Sequence, residues 1–327
     1  MRFFRLEDGA PEDLPALLES GWEDQLSRGI VAYDPSRAEV VTVSPYRFHY
    51  LPERASRPGA RKSAAPPEAG VHAAHAPCPF DGEDFVRERE VVRVSRGGRV
   101  QHIACNRYPV TPFHYLAVRE AAAPPATLPQ RIHGPEEIED SLLLIAALGP
   151  PYRFYFNSNR GADDSRSGSS VNHWHFQLFP YPASYESPLL ERPATVLRRE
   201  KGLAIGRVES WPAAHLFIEG EARLAAAAAE ILWRWLGPPH ERRSAYNIEE
   251  VPLGRGAFRA FLFPRRHAPA AEVPGAGALA ADFGGWELSG DIVIPTREIL
   301  DRVKADPEEA RRITERRLRD TTRDVEE

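Results

Sequence analysis

The chain has 327 residues, 42% of them hydrophobic, so it can bury a large core, and at about 150 residues per domain it holds one large unit or two fused ones. A formal net charge of -5 and a pI near 6.2 provide no broad basic surface for a nucleic-acid backbone, so any nucleotide partner is small. Two cysteines are too few for a disulfide framework, and no stretch reaches the roughly 18 apolar residues of a membrane span, so the chain reads as soluble and cytoplasmic, with no membrane partner.

Along the chain, residues 52 to 77 are rich in Ala, Pro, Arg and Gly without an aliphatic pattern, which predicts a mobile stretch in an amino-terminal extension spanning residues 1 to 78. Organised structure resumes at Pro79. The β-branched runs Glu90 to Ser95 and Val100 to Ala104 flank Arg96-Gly97-Gly98-Arg99, where paired glycines supply the positive φ of a hairpin turn. Phe113 to Val118 predicts a strand, Glu136 to Leu148 a helix, Arg153 to Asn157 a strand, and Val171 to Phe179 the strand that carries the chemistry. Ala213 to Ile218 predicts a strand leading into an alanine-rich helix through Trp235, and Ala245 to Val251 with Ala257 to Phe263 a second hairpin. Ile292 to Ile294 is a further short strand. The last segment, Asp306 to Glu327, alternates acids and arginines at helical spacing, which predicts a solvated helix without a catalytic role. Tyr246 to Pro264 loosely echoes Asn106 to Val118, as duplicated halves would.

The candidate chemistry lies in His173-Trp174-His175-Phe176-Gln177. Side chains alternate on a strand, so His173, His175 and Gln177 share one face and Trp174 and Phe176 the other. A neutral imidazole is a good nucleophile near neutral pH; attack on an α-phosphorus gives a phosphoramidate that a second nucleophile displaces. Two histidines at i and i+2 are by themselves equally at home as surface residues or metal ligands. The preceding Ser167-Gly168-Ser169-Ser170 shifts the balance, because hydroxyls and closely spaced backbone N–H groups cradle phosphate oxygens, and Arg160 and Arg166 stand close in sequence to neutralise charge.

Ser-Gly-Ser-Ser-x-x-His-x-His-x-Gln, preceded by Asn106-x-x-Pro109-x-x-x-x-His114, resembles the transferase branch of the histidine-triad superfamily, in which Gln ends the motif. Trp22-Glu23-Asp24, Arg28-Gly29, Tyr33-Asp34, Pro79-Phe80-Asp81-Gly82, Leu128-Pro129-Gln130-Arg131-Ile132, Phe217-x-Glu219-Gly220 and Trp286-Glu287-Leu288-Ser289-Gly290 follow in the order that resembles the GDP-hexose phosphorylases. The resemblance implies an α+β fold of two fused histidine-triad-like halves, residues 79 to 195 and 196 to 305, with a mostly antiparallel sheet, packed helices and a charged carboxy-terminal helix from 306 to 327.

It further implies that His175 takes up the nucleotide as a guanylyl-histidine, that Gln177 contacts the phosphoryl oxygens and that His173 supports them, with Asp81, Asn106, His114, Ser167, Gly168, Ser169 and Ser170 around the substrate. The partners it implies are a nucleotide sugar and inorganic phosphate, with no cofactor; a homodimer stays open. A Gln amide donates without titrating, which favours transfer over hydrolysis. The polar stretch Arg160 to Ser167 is longer than in those phosphorylases, and Ser-Gly-Ser-Ser is closer to diadenosine tetraphosphate phosphorylase, so base and sugar stay open; the alternatives are a diadenosine polyphosphate phosphorylase, another nucleotide-sugar nucleotidyltransferase, or a nucleotide-binding sensor without turnover.

Several residues have a structural reading beside the functional one. Cys78-Pro79-Phe80-Asp81 has half of a zinc-binding CxxC and predicts no metal site. Trp286, Trp211 and Phe80 could stack on a purine, but large aromatics near strand ends are usually core. Glu287 reads as a paired carboxylate, and Arg265 and Arg266 as exposed side chains after a strand.

Overall fold

The computed structural model describes residues 2–9, 11, 13–56, 80, 85, 88–120, 129–159, 167–169, 171, 173–181, 187–237, 244–266 and 283–324. In chain order the elements are β1 (Arg2–Arg5), α1 (Leu14–Ser27), β2 (Glu39–Val43), β3 (Tyr46–Tyr50), β4 (Glu90–Arg96), β5 (Arg99–Cys105), β6 (Tyr115–Arg119), α2 (Pro135–Leu148), β7 (Tyr152–Asn157) and β8 (His175–Pro180). There follow β9 (Ala194–Glu200), β10 (Leu203–Val208), β11 (Leu216–Glu221), α3 (Ala225–Leu236), β12 (Tyr246–Pro252), β13 (Ala257–Pro264), α4 (Gly285–Leu288), β14 (Asp291–Ile294), α5 (Arg297–Ala305) and α6 (Pro307–Thr321).

The fold is α+β, as expected, and mostly antiparallel. Eleven strands form one sheet in the order β1-β4-β5-β6-β8-β7-β12-β13-β11-β10-β9, and three form a second, β14-β3-β2. Only the pairings β1–β4 and β14–β3 are parallel among the described strands. Gly97 and Gly98, at φ 54 and 77°, make the predicted tight turn between β4 and β5. Pro135 suits the first turn of α2, where its missing N–H costs nothing, and Ile138, Leu142 and Ile145 bury its inner face at helical spacing.

The strand order contains a repeat. The strands β4 to β8 stand first-second-third-fifth-fourth, and β9 to β13 stand in the same order, each set with a helix, α2 or α3, between its third and fourth strands. The two sets join fourth strand to fourth strand, β7 to β12, and at this seam Tyr155 lies opposite Glu249 and donates its hydroxyl to that carboxylate at 2.9 Å. Duplication is therefore visible in topology, but not where the sequence echo suggested it. The counterpart of β5–β6 is β10–β11, whereas Tyr246–Pro264 forms β12–β13, the counterpart of β7–β8. Short apolar runs look alike wherever they pair, so the echo matched composition and missed position.

One face of the large sheet is covered by helices: Trp22 of α1, Leu142 of α2 and Ile231 of α3 pack against Trp174, Phe176 and Leu178 of the first half and Phe258, Ala260 and Leu262 of the second. On the other face of the second half, Phe217, Phe261 and Phe263 lie under Phe48, Ile292 and Ile294 of the small sheet and under Leu300, Ile313 and Leu318 of α5 and α6. The carboxy-terminal helix is thus not solvated all round, because every third or fourth residue of α6, Ala310, Ile313, Thr314 and Leu318, is buried. Residues 52–56 of the stretch expected to be mobile form a short 3-10 turn, Pro52–Ser56, and 57–77 lie outside the described residues. No helix among the described residues is long and apolar enough to cross a membrane.

Glu250 of β12 points into the helical side of the core, fully buried, with one oxygen accepting from Ser141 Oγ at 2.7 Å and the other without a partner. Burial pushes its carboxyl up to about 8, against a partial lowering by the Ser141 bond. Between pH 4.5 and 8 the folded chain holds a proton that the unfolded chain has released, so stability falls as pH rises, by about 1.4 kcal/mol per unit from this group. Denaturant unfolding of Glu250→Gln at pH 5, 6.5 and 8 should show that slope removed and the gain over wild type growing with pH; equal gains at all three would contradict it.

Candidate active site

The strand bearing the motif begins at His175 and not at Val171, because the chain before it makes other bonds. The His173 carbonyl accepts from His175 Nδ1 at 2.7 Å, and the His173 ring reaches the Arg119 carbonyl through Nε2 at 3.3 Å. His173 is therefore not a strand residue, although the two rings still share a side: Phe80 meets His173 edge-on at 5.6 Å between centroids and His175 at 5.4 Å. On the helical side, Trp174 is anchored by its Nε1–H to Glu137 at 2.9 Å.

A carbonyl only accepts, so His175 Nδ1 carries the ring proton and Nε2 keeps its lone pair. Burial, reinforced by the neighbouring His173 and opposed by the bond to its carbonyl, lowers the ring to about 4, so Nε2 is an unprotonated nucleophile throughout the neutral range. The backbone of His175 is held by Gln130, which sequence reasoning had quoted only as part of a resemblance. Gln130 Oε1 accepts from His175 N at 2.7 Å, while Nε2 donates to the carbonyls of His175 and Asn157 at 2.8 and 2.9 Å. This amide closes the gap where β7 and β8 part company.

Gln177 is two residues along the same face and half-buried. It neighbours His114, whose fully buried ring is pushed well down by desolvation and then by the charge of Arg54. Val110 N donates to His114 Nδ1 at 3.2 Å. Asn106 completes this arrangement, with its side-chain amide 3.2 Å from His114 Nε2 and its Oδ1 accepting from Tyr108 N at 3.0 Å.

The serine loop comes to the same region from below. Gly168, at φ 82°, lies so near the Gly284 backbone that a Cβ would fall 2.8 Å from its N and Cα. Ser167 is buried, donates its hydroxyl to the Ser158 carbonyl and gives its own carbonyl to Asn247 Nδ2 at 2.8 Å, while Ser169 Oγ donates to Val171 O at 2.9 Å. Ser170, Asp81, Cys78, Arg160 and Arg166 lie outside the described residues. No group of three or more His, Cys, Asp or Glu side chains among the described residues could hold a metal ion.

Of the three candidate stacking aromatics, only Phe80 meets the histidines. Trp286 is core, donating to Tyr181 OH at 2.7 Å and packed on the His49 ring at 4.7 Å, and Trp211 donates to the Leu288 carbonyl at 2.9 Å. Glu287 is half-buried and its carboxyl is raised by desolvation, with Oε2 accepting from Gly284 N at 2.9 Å. Arg265, expected at the surface, is instead buried and donates to Asn247 Oδ1 at 3.2 Å; Arg266 is the exposed one. The bridge from Arg265 to Thr322 draws the chain inward there.

The chain is similar in fold to yeast Ap4A phosphorylase. The likeness covers 95% of this chain and 98% of that one at TM-score 0.66 and 17% identity. The same protein in complex with AMP gives 0.65 at 17% identity over 95% and 96%, and in complex with Ap4A 0.64 at 16% over 95% and 98%. No protein-family model matches the sequence, and neither does any curated protein.

Among its described residues the second half holds no copy of the pair His175 and Gln177. His215 stands before β11 as His114 stands before β6, but the positions facing β11 that correspond to His175 and Gln177 are Arg259 and Phe261. Arg259 is bound to Glu219 at 2.5 and 3.0 Å, and Phe261 packs at 5.9 Å from His215. A nucleophile is missing there and the face is filled.

Two outcomes test this geometry. Long-range ¹H–¹⁵N correlation should show His175 protonated at Nδ1 and bare at Nε2 from pH 8 down to about 4; a midpoint near 6.5 would show that the ring is not shielded. Gln130→Ala strips partners from three buried backbone groups, so thermal unfolding should show a loss of at least about 2 kcal/mol, and a change under about 0.5 would remove it from this role.

Proposed function

We propose that this chain is a nucleotide phosphorylase acting by double displacement through His175. One observation carries the reading: the Nδ1–H bond to the His173 carbonyl leaves His175 Nε2 unprotonated, on the face where Gln177 presents its amide. Nε2 attacks the α-phosphorus of a nucleoside diphosphate-linked substrate, the bond from that phosphorus to the bridging oxygen breaks, and the distal phosphate leaves with the oxygen and its electron pair. A phosphate dianion needs no proton to leave, so no general acid is required. An oxygen of inorganic phosphate then attacks the phosphoramidate, the P–N bond breaks, and the pair returns to Nε2 as nucleoside diphosphate departs.

Gln177, beside His114, donates to the phosphoryl oxygens in both steps, and it has no ionisable ring with which to activate water. Ser167 gives its hydroxyl to Ser158, so the loop from Ser167 to Ser170 contributes through backbone N–H groups. Asp81, His173 and Asn106 complete the site in this reading. The division at 79–195 for the catalytic half and 196–305 for its companion follows from the same proposal, with 1–78 as extension and 306–327 as terminal helix.

The finer reading takes GDP-hexose as substrate, giving hexose 1-phosphate, guanylyl-His175 and then GDP. It is supported by the collinear residues from Trp22 to Gly290. A diadenosine polyphosphate is the second reading, favoured by the fold shared with yeast Ap4A phosphorylase. Turnover of GDP-hexoses and diadenosine polyphosphates with phosphate separates them, and guanine selectivity of about 10⁴ is expected if the base edge is hydrogen-bonded. A higher kcat/KM for any adenine substrate overturns GDP-hexose.

With phosphate withheld, peptide analysis at mildly alkaline pH should find nucleoside monophosphate on the peptide containing His175. His175→Asn should lower turnover by at least about 10³ while binding persists. Near-normal turnover in that variant, or label on His114, would refute the mechanism.

A further inference from the structure

A second cavity lies away from the histidines, with a volume of about 410 Å³, a size that accepts a small-molecule ligand. None of the His175 cluster lines it. Its walls are the β2–β3 turn at Ser44, Pro45 and Tyr46, the bend at Ser210, Trp211 and Pro212, and the side chains of Arg192, Arg311, Arg319 and Glu315.

Three features mark it as built to hold something. Tyr46 is 1% exposed as a residue, and its hydroxyl has no hydrogen-bond partner among the described residues. Burial and then Glu315 push that hydroxyl's pKa up while Arg192, Arg319 and Arg311 pull it down, which places all four charged groups around it. Arg311 is bound by Glu308 at 2.9 Å beside the lining, and the surplus positive charge is that of Arg192 and Arg319 against Glu315. That carboxylate takes Arg311 at 3.1 Å and Arg319 only at 4.0 Å, and Arg192 has no ion-pair partner among the described residues. Finally, Ser210 holds φ 56°, a left-handed conformation costly for a serine, at the edge of the cavity.

We propose that this cavity binds a phosphomonoester of sugar or nucleotide size. A phosphate dianion is drawn by the surplus positive charge, Arg192 and Arg319 supply paired N–H donors, and the free Tyr46 hydroxyl supplies a neutral donor at the floor. Trp211, tilted against Tyr46 at 5.8 Å, gives an apolar wall for the ester group. The same Trp211 bonds the Leu288 carbonyl of α4, whose Gly285 N reaches Asn157 at 2.8 Å, so the cavity and the floor of the histidine site adjoin one helix.

Calorimetric titration with inorganic phosphate, glucose 1-phosphate and guanosine monophosphate tests it on the full chain. Wild type should take two equivalents of at least one organic monophosphate, and the Arg192→Glu/Arg319→Glu variant one. Tyr46→Phe should weaken the second equivalent about tenfold, the effect of losing one bond to a charged group. Arg192→Gln, a change on an exposed side chain, is the second variant if charge reversal prevents folding, and should weaken the same equivalent. A single equivalent in wild type, unchanged stoichiometry in the reversal variant, or Tyr46→Phe within twofold of wild type would each overturn the proposal, the last leaving diffuse charge attraction only.

Discussion

A polar group at the middle of a continuous sheet must find its partner within the protein, and this requirement organises the molecule around the β7–β12 seam. Tyr155 donates to Glu249, which also binds Ser289, and Tyr155 lies 3.1 Å from the Tyr181 hydroxyl. Tyr181 in turn donates to Asp291 at 2.8 Å, and Asp291 meets His49 at 2.8 Å. Asn157 accepts from Asn247 at 2.6 Å and from Gly285 N at 2.8 Å. Each link joins separate pieces of chain: both half-sheets, α4 and the small sheet. A low local dielectric strengthens such a network only while every member is satisfied, so these pieces are fixed together.

The seam also explains why one site arises from two similar halves. Equivalent faces of the two halves lie side by side on one surface of the sheet. The small sheet, α5 and α6 cover the second face with aromatic residues, while the first is left with His175 and Gln177 beneath Phe80. An apolar cover cannot be laid over an imidazole and an amide without orphaning them, and a phosphate cannot enter a face packed with Phe217, Phe261 and Phe263. The apolar cover and the imidazole–amide face therefore lie in different halves.

Within the first half, small backbone departures matter more than the regular strand. His175 owes its tautomer to a bond within its own turn, and its backbone position to Gln130, a side chain that replaces sheet bonds where β7 and β8 diverge. Gln177 has His114 beside it, buried too deeply to be charged.

The sequence by itself determined the local order. Paired glycines placed the β4–β5 turn, apolar spacing placed α2, and the alternation of His175, Phe176 and Gln177 set which side chains face the helices and which do not, because these signals act over a few residues. The motif histidines and Gln177 were legible for the same reason, since the chemistry of imidazole and amide does not depend on the fold. Tertiary structure alone decided the rest. Arg265 looked exposed because its partner Asn247 lies on another strand, and α6 looked solvated because its apolar residues are few and meet a core built by distant elements. Gln130 gave no local sign of its task, and the matching of β5–β6 with β10–β11 is a fact of sheet order. Burial and long-range pairing set these outcomes, and neither is written in the spacing of neighbours.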